Sequence, residues 1–356
     1  LLGTPPRTAY LRTTRDLLGV GEAATGHWMD RYAALARLLG TRVVAWVRCL
    51  AEFIDRFEMD RDRIAGEFGA ETDPGPLTEL SFGSGDSHNG GRSVAICTFQ
   101  SGLKIVYKPR NCGIDAAFST LVDRFNEMLD PDLRLRVPRT IDRQRWGWAE
   151  FIGSAPCETI EELRTYHRRL GSLLMVIHLL QGNDFHLENV KAFGADPIPI
   201  DLETVSVPVA GLRDPDAIVD AASKMIEHSV MRTLLLPSAM GMGGVTLQNL
   251  GAIRVEVGDN QQRKGFKKLI LVNTDFQRWI RSEAPDADQR PESEAWLESG
   301  EKITASEQLA ETKAGFEAAY RTLLERQHDL GGDASPIRVL GPTWVRVLNR
   351  ATNVYM

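Results

Sequence analysis

The polar and apolar positions of this chain change period several times. From Arg15 to Phe68 the apolar residues Leu35, Leu39, Val43, Val47, Leu50, Phe53 and Ile54 recur mostly every three or four positions, which predicts a helical N-terminal subdomain over 1–70. Thr72, Asp73, Pro74 and Gly75 break that pattern and mark a boundary. From Leu77 to Lys108 alternation takes over. A short apolar entry (Leu77 to Phe82), a glycine-rich loop, the alternating Val94, Ile96 and Thr98, a Ser101-Gly102 turn and the alternating Leu103, Ile105 and Tyr107 predict strand, loop, strand, turn, strand. Ile114, Phe118, Leu121, Val122, Phe125 and Leu129 then mark one face of a helix, and Trp146 to Ile152 reads as a further strand. Residues 77–155 are therefore expected to form a small antiparallel sheet with one helix laid on it.

The period returns to helical from Ile160 to about Leu180, where Leu163, Tyr166, Leu170, Leu173, Leu174, Ile177 and His178 share a side and Gly182 ends the run. A loop, a Pro197 turn and the apolar Ile198 to Leu202 follow. The remainder alternates helical stretches (Ala217 to Leu236, Ala305 to Leu324) with the connections Met240 to Gly244 and Arg281 to Glu301. The latter is rich in Pro, Asp, Glu and Ser and predicts a mobile surface loop. Residues 156–356 are thus expected to be a mostly helical second lobe, giving an α+β protein of two or three structural units, as its 356 residues suggest.

Composition narrows the partners. Hydrophobic residues make up 43% and charged residues 25%, as in an ordinary globular protein. The longest apolar runs, such as Leu173 to Leu180, fall short of the roughly 20 residues that span a bilayer, so no membrane partner is expected. A net charge of -6 argues against a nucleic-acid surface. No charged-then-apolar signal segment precedes the first helix, and the expected location is the cytoplasm. Cys49, Cys97, Cys112 and Cys157 are scattered without a C-x-x-C pair, so packed, reduced thiols and no structural zinc are expected.

The candidate chemistry lies in an ordered series. Gly83, Gly85, Gly90 and Gly91 fall between two strands, where bare backbone N–H groups could surround phosphates. Alone, that stretch is an ordinary β-turn and does not fit G-x-G-x-x-G. Seventeen residues after Gly91, Lys108 ends the third strand, where a lysine can reach α- and β-phosphates. Alone, Lys108 is a solvated strand-end lysine. A protein-kinase-type lysine also wants a carboxylate from the next helix, and Glu127, nineteen residues on, is the candidate. Asp184 and Asn189 are five apart, the spacing of a kinase catalytic loop in which Asp accepts the hydroxyl proton and Asn holds Mg²⁺. Twelve residues later Ile200 delivers Asp201, where the magnesium-binding Asp would stand. An Asx cap and a polar strand end explain each carboxylate separately but not their order after Lys108. Asp184, His186, Asp201 and Glu203 also resemble a ligand set for two divalent ions in a hydrolase, a reading that leaves Lys108 and the glycine loop without a role.

At these residues the chain resembles a known family. Gly85-Asp86-Ser87-His88, Val106-Tyr107-Lys108-Pro109-Arg110, Trp148-Ala149-Glu150-Phe151, Asp184 to Asn189, Asp201-Leu202-Glu203, His228 to Pro237 and Arg346 to Tyr355 together look like the dehydratase domain of class II (LanM-type) lanthipeptide synthetases, from about Leu77 onward. The resemblance implies a lipid-kinase-like two-lobed fold with additional N-terminal helices. It implies phosphorylation of Ser and Thr in a leader-bearing precursor peptide with ATP and Mg²⁺, followed by elimination of phosphate to dehydroalanine or dehydrobutyrine. Carried over by motif, Lys108, Asp184, His186, Asn189, Asp201 and Glu203 serve phosphorylation, while Asp86, His88, Arg346 and Thr352 serve elimination. An acidic residue in a phosphate-cradling loop repels ATP, so Asp86 and His88 suit proton handling in a second task better than a plain kinase. No cysteine and histidine set for the cyclase zinc is found, and a cyclase domain is expected only beyond this chain. The competing expectations are a peptide or small-molecule kinase without elimination and a nucleotide- or peptide-binding scaffold without catalysis.

Overall fold

The computed structural model describes residues 6–18, 32–69, 73–83, 90–207, 225–237, 251–253, 266–272, 274–282, 290–333 and 335–347. The chain divides into two compact units. One comprises residues 1–61, 86–92 and 259–289, and the other 62–85, 93–258 and 290–356.

The first unit contains helix α1 (Thr8–Leu18), most of the long helix α2 (Ala33–Phe68) and a two-stranded antiparallel ribbon, Phe266–Ile270 with Arg278–Ser282. The ribbon has no counterpart in the expected organisation. Within α2, Phe53 and Phe57 stack with centroids 5.9 Å apart, and the Arg92 fork grips Glu52 at 2.8 and 2.5 Å.

The larger unit carries the α+β core. Its five-stranded sheet contains β1 (Leu77–Phe82), β2 (Ala95–Phe99), β3 (Lys104–Lys108), β4 (Thr140–Asp142) and β5 (Gly147–Glu150) in the order β1-β2-β3-β5-β4, antiparallel throughout. Strand β3 buries Ile105 and Tyr107 as expected, but β2 is out of phase by one residue: Ala95, Cys97 and Phe99 are buried, while Val94, Ile96 and Thr98, the alternating set read from the sequence, are only half-buried. The Ser101-Gly102 turn closes by the Gly102 N–H donating to Phe99 O at 2.9 Å, with Gly102 at φ +87°, a conformation glycine adopts without Cβ strain. Tyr107 meets Trp148 across the β3–β5 pair at 5.0 Å between centroids.

Helix α3 (Gly113–Asn126) turns its face of Ile114, Phe118, Leu121, Val122 and Phe125 into a core shared with α4 (Ile160–Leu179). Thr159 caps α4 by accepting the Glu162 N–H at 3.1 Å, while Glu162 reaches back to the Glu158 N–H at 2.7 Å. A capping box of Thr304 and Glu307 starts α5 (Ala305–Glu325). Helices α4 and α5 approach at backbone distance: a Cβ on Gly171 would lie 2.7 Å from Phe316 N, and one on Gly315 would lie 2.6 Å from Arg168 C.

Two expectations change. The segment from Arg281 to Glu301 was expected to be a mobile surface loop, but over 290–301 it is docked. Ser293 and Leu297 are buried, Cys157 N–H donates to Trp296 O at 2.7 Å, Tyr166 Oη–H donates to Ser293 O at 2.6 Å, and Ala192 N–H to Glu292 O at 2.6 Å. The charged residues that gave the segment its polar look flank apolar anchors, Leu297 packing with Cys157, Leu163 and Ile303. The helix expected from Ala217 to Leu236 shows, in its described part, only a short helical turn and the 3₁₀ turn Val230–Thr233. Among the described residues no helix is long and apolar enough to cross a membrane.

Candidate active site

The site is assembled from five places in the larger unit: the end of β3, the start of α3, the loop after α4, the turn that follows the hairpin β6 (Val190–Phe193) and β7 (Asp196–Pro199), and Arg346 near the end of the chain. Lys108 is only 7% exposed. Its Nζ donates to Asp115 Oδ1 at 2.8 Å and to Ile200 O at 2.9 Å, so one ammonium ties the sheet to the helix and to the residue before Asp201.

Asp115 is the carboxylate that sequence spacing missed. It is 1% exposed in the first turn of α3, where helix N-terminal N–H groups favour an anion. The Arg110 fork supplies its second partner, Nη1 at 2.7 Å from Oδ2 and Nη2 at 3.2 Å from Oδ1. Burial alone would raise the Asp115 pKa, but the charges of Arg110 and Lys108 and their hydrogen bonds lower it to about 2. Glu127, expected to serve as the partner of Lys108, instead lies exposed beyond the end of α3 and pairs with Arg124 at 3.3 Å. The helix must turn its buried face to the sheet, and Asp115 shares that face with Ile114 and Phe118 while Glu127 does not.

The loop after α4 turns sharply. Gly182 has no room for a side chain, since a Cβ would sit 2.7 Å from Ile177 Cγ2. Asp184 adopts φ +69°, a left-handed conformation that Asp tolerates better than most residues, and its N–H donates to Asn183 Oδ1 at 2.7 Å. Phe185, fully buried, anchors the loop below. From the far side, Asn189 Nδ2–H donates to Asp184 O at 2.8 Å, and Asn189 N–H to His186 O at 3.0 Å. The five-residue spacing is thus closed physically by the amide of Asn189. Glu188 N–H donates to His186 Nδ1 at 3.2 Å, and His186 Nε2 lies 3.8 Å from Asp184 Oδ1 and 3.4 Å from Asn189 Nδ2.

Arg232 and Thr233 strap this loop to the turn after β7. Arg232 Nε–H donates to Gln181 O at 3.1 Å and Nη2–H to Val207 O at 2.8 Å, while Phe185 N–H donates to Thr233 O at 2.9 Å. Thr204 Oγ1–H donates to Asn183 O in the same strap. The segment from His228 to Pro237 carried family resemblance without a role, and these bonds supply one.

Beyond β7, Asp201 Oδ1 lies 3.1 Å from Arg110 Nη2, and Glu203 Oε2 lies 3.4 Å from Arg110 Nε. Glu203 also holds Arg346 twice: Arg346 Nη1–H donates to Glu203 Oε1 at 2.5 Å and Arg346 N–H donates to Glu203 O at 2.7 Å. Burial raises the pKa of Asp184 above its usual range; Asp201 and Glu203 push the same way, while His186 and Arg346 oppose. Burial on its own would lower the Arg346 pKa, but its bond to Glu203 and the surrounding carboxylates raise it.

Of the residues singled out from the sequence, Lys108, Asp184, His186, Asn189, Asp201, Glu203 and Arg346 are brought into this one site. Gly83 precedes it at φ +92°. Gly85, Asp86, His88 and Thr352 lie outside the described residues. Among the described residues no three His, Cys, Asp or Glu side chains converge as a metal cage.

Comparison with known proteins agrees with the resemblance. A relative from Lactococcus lactis subsp. lactis, named lacticin 481/lactococcin biosynthesis protein LcnDR2, is 25% identical over 212 residues, which cover 58% of this chain. The match spans 22% of that relative's length. The family model described as Domain of unknown function (DUF4135) matches residues 32–356. The two matches together support the likeness to the dehydratase domain of LanM-type lanthipeptide synthetases, and the chain belongs to the DUF4135 family.

Proposed function

We propose that this chain is a lipid-kinase-like lanthipeptide dehydratase, which phosphorylates Ser and Thr of a leader-bearing precursor peptide from ATP and then eliminates the phosphate. The observation that carries the proposal is the buried Lys108–Asp115 pair, whose lysine also holds the Ile200 carbonyl beside Asp201, within one compact unit with Asp184 and Asn189. A kinase needs a lysine fixed by a carboxylate, a catalytic aspartate and hard-oxygen metal ligands in this relation. The name of the lactococcal relative supports a peptide antibiotic precursor as substrate class.

The donor set fits magnesium. Mg²⁺ takes one or two carboxylates from a protein and completes its shell with phosphate oxygens and water, so a three-ligand protein cage is not required. Asn189 spends its Nδ2–H on Asp184 O, which leaves Oδ1 as the donor atom, and the Asp201 carboxyl is 39% exposed. Asn189 and Asp201, with Glu203 beside them, would hold the ion, which would supply charge neutralisation on the transferring phosphoryl group. Lys108, aimed by Asp115, binds nucleotide phosphates. Asp184, with a pKa raised by burial, is suited to accept the hydroxyl proton of the substrate. Arg346 offers a guanidinium to the phosphate that leaves during elimination. Asp86, His88 and Thr352 complete that second step in this reading.

The test is incubation with ATP, Mg²⁺ and the precursor peptide encoded beside the gene, read by mass spectrometry. Loss of water at each modified site supports the dehydratase. Gain of phosphate without loss of water would leave a kinase alone, and an unchanged peptide with no ATP turnover would favour a binding scaffold.

A further inference from the structure

Arg110 belongs to the Lys108-Pro109-Arg110 stretch yet has no role in the reading above. It meets three carboxylates of the site. Its Nη1 lies 2.7 Å from Asp115 Oδ2 and 3.0 Å from Asn111 O; its Nη2 lies 3.2 Å from Asp115 Oδ1 and 3.1 Å from Asp201 Oδ1; its Nε lies 3.4 Å from Glu203 Oε2. The side chain is 21% exposed. A planar fork with five donors spreads its contacts over three carboxylates held apart from one another, whereas the three donors of an ammonium radiate from a single nitrogen.

The charges surrounding this fork make its role specific. Asp115, Asp184, Asp201 and Glu203 carry four negative charges when ionised, and Lys108, Arg110 and Arg346 carry three positive ones, leaving a difference of one. A divalent cation arriving at Asp201 would stand beside a guanidinium already bonded to the same carboxylate. The two compete for one anion and repel each other. A nucleotide triphosphate arriving with the cation reverses that balance, because its phosphates bring the negative charge that lets both cations stay.

We infer that Arg110 is a positioning residue that acts as resident counter-ion of Asp201 and Glu203, and thereby makes capture of the divalent cation depend on nucleotide. The inference rests on the proposed magnesium site. Its consequence runs opposite to that of structural damage: removing Arg110 should make the bare protein bind a divalent cation more tightly.

The experiment titrates Mn²⁺, a paramagnetic stand-in for Mg²⁺, into the full chain without nucleotide and counts free ion by electron paramagnetic resonance. Arg110→Gln should lower the Mn²⁺ Kd about tenfold relative to the unaltered protein, as loss of one neighbouring positive charge requires. Arg110→Lys, which keeps the charge without the fork, should shift it less and in the same direction, and it substitutes if the glutamine variant does not fold. Addition of a non-hydrolysable ATP analogue should bring the unaltered protein close to the variant. An unchanged or weakened Mn²⁺ affinity in both variants, with Asp201→Asn still abolishing binding, overturns this inference alone. Absence of any Mn²⁺ site sensitive to Asp201→Asn, even with the analogue, overturns the magnesium assignment and this inference with it.

Discussion

Lys108 Nζ lies 2.8 Å from Asp115 Oδ1 in a place where Asp115 is 1% exposed. Breaking a buried pair by removing one partner strands the other charge without solvent. Asp115→Ala should therefore destabilise the protein by about 3–5 kcal/mol and abolish phosphoryl transfer. Glu127→Ala, at the exposed end of the same helix, should leave stability within about 0.5 kcal/mol and activity unchanged. Urea midpoints and peptide mass read both. Equal effects of the two substitutions would break the assignment of Asp115 as anchor.

The same pair sets an acid limit on stability. The Asp115 pKa is lowered from 3.8 to about 2, so its contribution is fully present above its unfolded pKa and is lost as pH falls from near 4 through 2. The contribution is on the order of 2 kcal/mol at neutral pH, at about 1.4 kcal/mol per pKa unit. Unfolding free energy measured across that window should fall in the unaltered protein and stay flatter in Asp115→Asn, whose starting stability is lower.

Asp184 titrates the other way. Its pKa is raised by burial, so the folded protein prefers it protonated, and keeping it ionised costs stability at pH values above that pKa. A base must be ionised to act. The acid limb of the phosphorylation rate should therefore lie at higher pH than an exposed aspartate would give. Asp184→Asn copies the neutral form: it should lose phosphorylation while matching or exceeding the unaltered protein in melting temperature at pH 7, an advantage that shrinks as pH falls. Melting scans at two pH values, beside the activity assay, check both halves.

Glu203 joins the two proposed half-reactions, since it borders the magnesium-side aspartate and holds Arg346 through side chain and backbone. A synthetic phosphopeptide separates the steps. Lys108→Ala should block phosphorylation of the free peptide yet still eliminate phosphate from the phosphopeptide. Glu203→Ala should fail at both, with elimination slowed at least about tenfold through loss of the Arg346 anchor. Arg346→Ala should leave phosphopeptide unconverted, and normal elimination by Glu203→Ala would show that the anchor is dispensable.

Alternation located β2 and β3 as strands, because each buries every second residue, but with residues of similar polarity on both faces of β2 it did not tell which face turns inward. Spacing singled out Lys108, Asp184, Asn189 and Asp201 by their order along the chain, and the fold brings these four together. It failed at Asp115. Transfer of a protein-kinase spacing pointed to Glu127, whereas the physical signal was an acid on the apolar face of α3, in its first turn and five residues after Arg110. Arg232 was legible only as part of a resemblance, because bonds to Gln181 and Val207 reach across 51 and 25 residues. The docking of 290–301 escaped for the same reason: its anchors, Ser293 and Leu297, meet partners more than a hundred residues earlier in the chain.

The crossing of α4 and α5 was equally invisible, because each helix was recognised by its own apolar period and neither period records how closely two axes approach. Gly171 and Gly315 record it. A Cβ at Gly171 would strike the Thr312 carbonyl oxygen and lie 2.7 Å from Phe316 N, and one at Gly315 would strike the Arg168 carbonyl and lie 2.8 Å from Arg168 Cα. The obstructing atoms are backbone, which cannot rotate away, so a helix must shift. Gly171→Ala and Gly315→Ala should each cost about 3 kcal/mol, the upper part of the overpacking range. Because both push on one contact, the double variant should cost less than the sum. Gly40 and Gly66, inside α2 with nothing within 4 Å of a built Cβ, provide the control: alanine there should stabilise by roughly 0.5–1 kcal/mol through lost unfolded-state freedom. Thermal melts of the four single variants test the packing directly, and a neutral Gly171→Ala or Gly315→Ala would mean that the helices do not meet at these residues.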